Sequence, residues 1–131
     1  MSRKTIIDAA FGEVRISQSE VGFYLEKDIS IGDDRSILLT LIAKNEHSDP
    51  KHKKVFRLIT ANFDTLKKRA SELYECEYAS GLLLDYKVES IVINSMVEDE
   101  IWELWLVRKN GFENCVVEFV ELQPVHISFT A

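Results

Sequence analysis

A chain of 131 residues, 46% hydrophobic and 29% charged, is long enough for one core and has neither a disordered composition nor an apolar run able to span a bilayer. Its net charge of −6 argues against nucleic-acid binding, for which a basic stripe is needed. The total conceals an asymmetry: residues 1 to 70 hold 13 Lys and Arg against 10 Asp and Glu, and residues 71 to 131 hold 3 against 12.

The opening Met-Ser-Arg-Lys-Thr-Ile-Ile-Asp is polar, with no apolar stretch before a small-residue cleavage site, so a cytoplasmic location is expected. Only two prolines and five glycines occur, without a linker or a repeat, and residues 1–131 read as a single domain. Short runs rich in β-formers follow: Glu13 to Ile16, Val21 to Glu26, Ile29 to Ile31 and Ile37 to Ala43, the last two separated by a Gly32-Asp33-Asp34-Arg35 turn. They predict a meander of three or four antiparallel strands. The nearly continuous apolar run Ile37 to Ile42 suits a central strand covered on both faces.

Asp49-Pro50 is a helix start, a side-chain acceptor followed by a residue that has no N–H to leave unpaired. Phe56, Ile59, Phe63, Leu66, Ala70 and Leu73 then recur at spacings of three and four, which predicts one amphipathic helix from Pro50 to Tyr78, ended by Gly81 and lying on its own sheet. The last third returns to strands at Val88 to Asn94, Ile101 to Lys109 and Phe112 to Leu122, joined by the acidic Val97 to Glu100 turn and an Asn110-Gly111 hairpin turn. Pro124 makes Val125 to Phe129 a bulged continuation or an edge strand. The expected class is α+β, an antiparallel sheet or sheets with one long amphipathic helix on a face, in the order β-meander, helix, β-meander.

Signatures of catalysis are missing: no GxSxG, P-loop, GxGxxG or HExxH is present. Cys115 and His126 both fall in strand interiors, and the apolar neighbours of Cys115 disfavour a thiolate. Cys76 and Cys115, without a CxxC, read as reduced, buried thiols, and His47 and His52, five apart around the helix start, as solvated loop residues. No catalytic residue, metal ligand or cofactor is therefore expected.

Charge is the more informative feature. Lys51, Lys53 and Lys54 crowd the helix N-terminus and Glu72, Glu75 and Glu77 its C-terminus, the reverse of what the macrodipole favours, at a cost of about 0.3 to 1 kcal/mol per charge. Either tertiary ion pairs, with loops such as Asp33-Asp34, offset this, or the acidic end belongs to a binding surface. Trp102 and Trp105, three apart on one strand, point to opposite faces; one belongs to the core and the other, among carboxylates, can anchor a partner. Glu72, Glu75, Glu77, Asp85, Glu98, Asp99, Glu100, Trp102 and Glu103 are the candidate partner-binding residues.

The layout Ala10-Phe11-Gly12-Glu13, Gly22-Phe23-Tyr24, a strand like Ile37 to Ala43, one long helix, and Val88-Glu89-Ser90-Ile91-Val92-Ile93 before a tryptophan-bearing strand resembles small bacterial α+β domains, some encoded beside secreted toxins and regarded as immunity proteins. The resemblance implies an antitoxin that masks a cognate basic toxin, a nuclease among the possibilities, as a monomer or weak homodimer. It brings no catalytic residues. The alternatives are a small enzyme or ligand-binding protein with a pocket between sheet and helix, and a homo-oligomer joined through Val125 to Phe129.

Overall fold

In the computed structural model, which describes residues 4–78, 81–97 and 100–130, the chain runs β1 Lys4–Asp8, β2 Gly12–Ser19, β3 Gly22–Ile31, β4 Asp34–Ala43, α1 Pro50–Ala61, α2 Phe63–Tyr78, α3 Leu82–Asp85, β5 Tyr86–Asn94, β6 Ile101–Arg108, β7 Asn114–Val120 and β8 Gln123–Thr130. The class is α+β, and strands dominate it. All eight belong to one sheet ordered β1 to β8, so the expected meanders are two halves of a single layer. Neighbours are antiparallel except β4 and β5, which the helical crossover between them makes parallel. No helix among the described residues is long and apolar enough to cross a membrane.

The amphipathic segment is two helices. Asn62 ends α1 with a backbone that is neither helical nor extended (φ −131°, ψ 19°), its N–H bonded to the Ile59 carbonyl and its side-chain amide to the Leu58 carbonyl at 2.9 Å, while its own carbonyl accepts the Leu66 N–H and opens α2. An asparagine side chain that competes for helix carbonyls breaks the ladder without disturbing the apolar pattern. The buried stripe accordingly continues across the break as Val55, Ile59, Phe63, Leu66, Ala70 and Tyr74, with Phe56 and Leu73 only half-buried beside it. A side chain such as Leu66, fully buried here, contributes roughly 1.5–3 kcal/mol by leaving water.

That stripe packs on one face of the sheet, against Leu25, Leu39, Leu41, Ile91, Ile93, Leu104 and Val117. Along β4 the burial alternates: Ile37, Leu39 and Leu41 are buried under the helices, whereas Leu38, Thr40 and Ile42 are half-buried on the other face. The expectation of a strand covered on both sides is thus corrected, because all three helices lie on the same side. Three further boundaries differ from the sequence reading. Lys4–Asp8 forms an additional edge strand, and Ile29 to Ile31 continues the strand begun at Gly22. The β6–β7 connection is a loop over residues 109–113 closed by Arg108 N–H to the Glu113 carbonyl, which leaves Phe112 92% exposed outside the strand. β8 is an edge strand, with its register interrupted where Pro124 meets Phe119.

Candidate functional site

The face turned away from the helices is organised by the ladder register. One row of cross-strand neighbours runs Leu38, Ser90, Trp105, Val116, Ser128, and the next Thr40, Val92, Glu103, Glu118, His126. Ser90 and Val116, on either side of Trp105, are only 8% and 6% exposed although no helix covers them. Side chains of the sheet itself therefore shelter them. Trp105 is half-buried, and its indole N–H donates to Glu103 Oε1 at 3.1 Å. Beside this pair lies a groove of about 340 Å³ lined by Ile42, Val92, Asn94, Ile101, Glu103 and Glu118.

Glu103 and Glu118 stand directly opposite each other. Like charges in such a pair cost stability, of the order of a few tenths to 1 kcal/mol. Among the described residues no lysine or arginine forms an ion pair with either one. The nearest basic group in the row is the exposed imidazole of His126, opposite Glu118. An indole, an apolar floor and two uncompensated carboxylates make a surface suited to a partner's apolar side chains and cationic groups.

The nine residues nominated from the sequence do not form one surface. Trp102 is 1% exposed on the helix-covered face, stacked on Phe119 with ring centroids 4.4 Å apart and its indole N–H bonded to the Glu121 carbonyl, so it is core and unavailable as an anchor. Trp105 takes the exposed role, on the face of Glu103. Glu100 is half-buried and paired with Lys54. Glu72, Glu75 and Glu77 are exposed at the end of α2, in the helical layer, and Asp85 is half-buried at the end of α3. Glu98 and Asp99 lie outside the described residues.

The reversed helix charges are settled at one end. Lys51 donates to the Val97 carbonyl and Lys54 pairs with Glu100, so the basic start of α1 meets the β5–β6 loop and not Asp33-Asp34. Asp34 instead receives Lys67 of α2 at 2.6 Å. No ion pair among the described residues involves Glu72 or Glu75. Tyr74 and Tyr78 of the same helix end pack edge-on against Phe129 of β8.

His52 departs most from expectation. It is fully buried, its Nδ1 accepting the Asp49 N–H at 2.9 Å and its Nε2 donating to the Ile42 carbonyl at 2.9 Å, which ties the start of α1 to the end of β4. Burial holds its pKa below the ordinary value, against smaller opposing effects of the Ile42 carbonyl and the Asp49 and Asp8 charges. Nearby Asp8 is also buried, which raises its pKa, but hydrogen bonds from Ser48 and from the Ala10 and Phe11 amides outweigh this and keep the carboxyl below its usual value. Both nitrogens of His52 are committed to the backbone, so the ring is a structural clamp.

Cys115 and His126 project from opposite faces of the sheet, since Cys115 pairs across the ladder with Phe129 and His126 with Glu118. They cannot act as nucleophile and base. Cys115 is buried as expected and Cys76, contrary to expectation, is exposed at the end of α2. No group of three potential ligands close enough for a metal ion occurs among the described residues. No protein-family model, curated protein or solved structure matches the chain.

Proposed function

We propose that this protein is a non-enzymatic, cytoplasmic protein-binding module, and that its contact surface is the uncovered sheet face centred on Trp105. The single observation that carries the reading is the half-buried indole bonded to Glu103, with Glu118 directly opposite. Tryptophan is the residue type most enriched among binding hot spots, and two unpaired carboxylates beside it favour a basic partner. The net charge of −6 adds long-range attraction to such a partner.

In its finer form the reading is an immunity protein that neutralises a basic toxin by covering its active surface. The layout resemblance and the acidic second half support this form, and a nuclease, whose substrate groove is basic, is the partner that fits them. The exposed Glu72, Glu75 and Glu77 lie in the helical layer and would act through the overall field and not through contact.

The test is affinity purification of the tagged chain from its native host, followed by calorimetric titration of the captured partner. Trp105→Ala and a Glu103→Lys/Glu118→Lys double variant should each weaken binding by at least about 100-fold, about 2.7 kcal/mol. Undiminished affinity in both variants removes this face from the interface.

A further inference from the structure

The β4–β5 ladder is incomplete at one end. It extends from the Leu38/Ser90 pair to the Ile42/Asn94 pair, although β4 begins at Asp34 and β5 at Tyr86. Each strand carries a bulge at that same end. Arg35 and Ser36 together oppose Ser30 of β3, with Ser36 in the left-handed region at φ 59°, and Glu89 is the extra residue of β5 between its pairings at Val88 and Ser90. Bulges bend strands and re-aim side chains, and a strained non-glycine residue marks a site where the surrounding structure enforces the shape. Between the parted strands lies a cleft of about 410 Å³.

The lining of this cleft reverses the character of the chain. Residues 71–131 contain 12 acidic residues and only 3 basic ones, Lys87, Arg108 and Lys109, and all of those three line the cleft. Arg35 joins them from β4, and Glu89 is the one carboxylate in the lining. Two of the cations are already engaged by other groups: Arg108 lies over the Tyr86 ring at 5.2 Å and pairs with Glu113 at 3.3 Å, and Lys109 donates to the Leu83 carbonyl at 2.9 Å. Arg35 and Lys87 are exposed and enter no ion pair among the described residues.

We infer that this cleft is a binding site for a phosphate ester. Arg35 and Lys87, exposed and without ion pairs among the described residues, outnumber Glu89, the one carboxylate of the lining, whereas Arg108 is balanced by Glu113; this surplus suits a group carrying about −1.5 to −2 at neutral pH, and an arginine fork matches phosphoryl oxygens in geometry. Phe112, 92% exposed and next to Gly111 of the lining, offers a ring on which a base can stack if the ester is a nucleotide. The site shares no residue with the Trp105 face and stands or falls separately from it.

Amide NMR titrations of the whole chain at low ionic strength, with inorganic phosphate, ribose 5-phosphate and adenosine monophosphate, test the inference. Saturable shifts are expected at Ser36, Lys87, Glu89 and Gly111, with affinity falling about tenfold or more in an Arg35→Ser/Lys87→Ser double variant. Loss of two exposed, unpaired side chains leaves the fold intact, which the remaining spectrum verifies. Equal affinity for the three probes assigns recognition to the phosphoryl group; tighter binding of the nucleotide that disappears in Phe112→Ala assigns the added contact to the base. Shifts that fail to saturate, that sodium chloride reproduces at matched ionic strength, or that persist in the double variant overturn it.

Discussion

Glu103 on β6 and Glu118 on β7 face each other across the ladder, carboxylate to carboxylate, on the side of the sheet that carries no helix. The pair lowers the stability of the isolated chain. Glu118→Gln, which leaves Glu103 as acceptor for the Trp105 indole, should raise stability by about 0.2–1 kcal/mol. In urea the midpoint should rise without a change of slope. A variant less stable than the parent would show that the two carboxylates are compensated in the free protein and have no need of a cationic partner.

The two tryptophans should separate cleanly. Trp102→Ala removes a fully buried ring stacked on Phe119 and should cost about 3–5 kcal/mol, whereas Trp105→Ala, on the open face, should cost under about 2. In single-tryptophan variants made with phenylalanine, acrylamide should quench Trp105 emission and leave Trp102 nearly untouched. Equal quenching contradicts the assignment of faces.

The cysteines differ in the same way. Burial pushes the Cys115 thiol up to about 12, and Cys76 is exposed. A chromogenic disulfide reagent at neutral pH should therefore titrate one thiol in the native protein, abolished by Cys76→Ser, and both in denaturant. Two fast native thiols would mean that the end of α2, packed on Phe129 opposite Cys115, lifts readily from the sheet.

Stability should fall on acidification because of His52. Its folded pKa lies below the ordinary 6.5, so at pH values just under 6.5 the unfolded chain binds a proton that the folded chain refuses, and stability rises with pH in that window. The slope from this one group is at most about 1.4 kcal/mol per pH unit. Asp8 acts with the same sign at lower pH, below 3.8, where its depressed carboxyl stays ionised in the folded state while the unfolded chain protonates. His52→Gln should flatten the slope below 6.5 and leave the lower limb; an unchanged profile would mean that another group titrates there.

Local chemistry made much of the fold legible. Asp49-Pro50 marks the helix start because the reason is contained in two adjacent residues, and Pro124 marks an irregular edge for the same reason. Asn62 escaped because its break depends on a side chain turning back to Leu58 while the apolar stripe runs on undisturbed. Period two puts Trp102 and Trp105 on opposite faces, but which face is core depends on helices some 30 residues away in sequence. The burial of His52 was hidden because its two backbone partners belong to the cap and to β4, one beside it and one across the loop. The cationic cleft was less visible still, since Arg35 and Lys87 meet only through two bulges and a parallel pairing that no local pattern specifies.

That parallel pairing also bears on how the chain reaches its native state. Every other ladder joins strands linked by a short connection, whereas β4 and β5 meet only after the whole helical segment has closed as a loop. We expect residues 4–43 and 86–130 to form hairpins early and the central seam to zip last, after the rate-limiting step. Leu41→Ala and Ile93→Ala, truncations on either side of the seam, should then accelerate unfolding and barely slow folding, while Val14→Ala within an early hairpin should slow folding. Stopped-flow chevrons with the reverse partition would place the seam in the nucleus. If the seam does close last, the cleft and the Trp105 face, which both straddle it, are the final surfaces to be completed on the folding molecule.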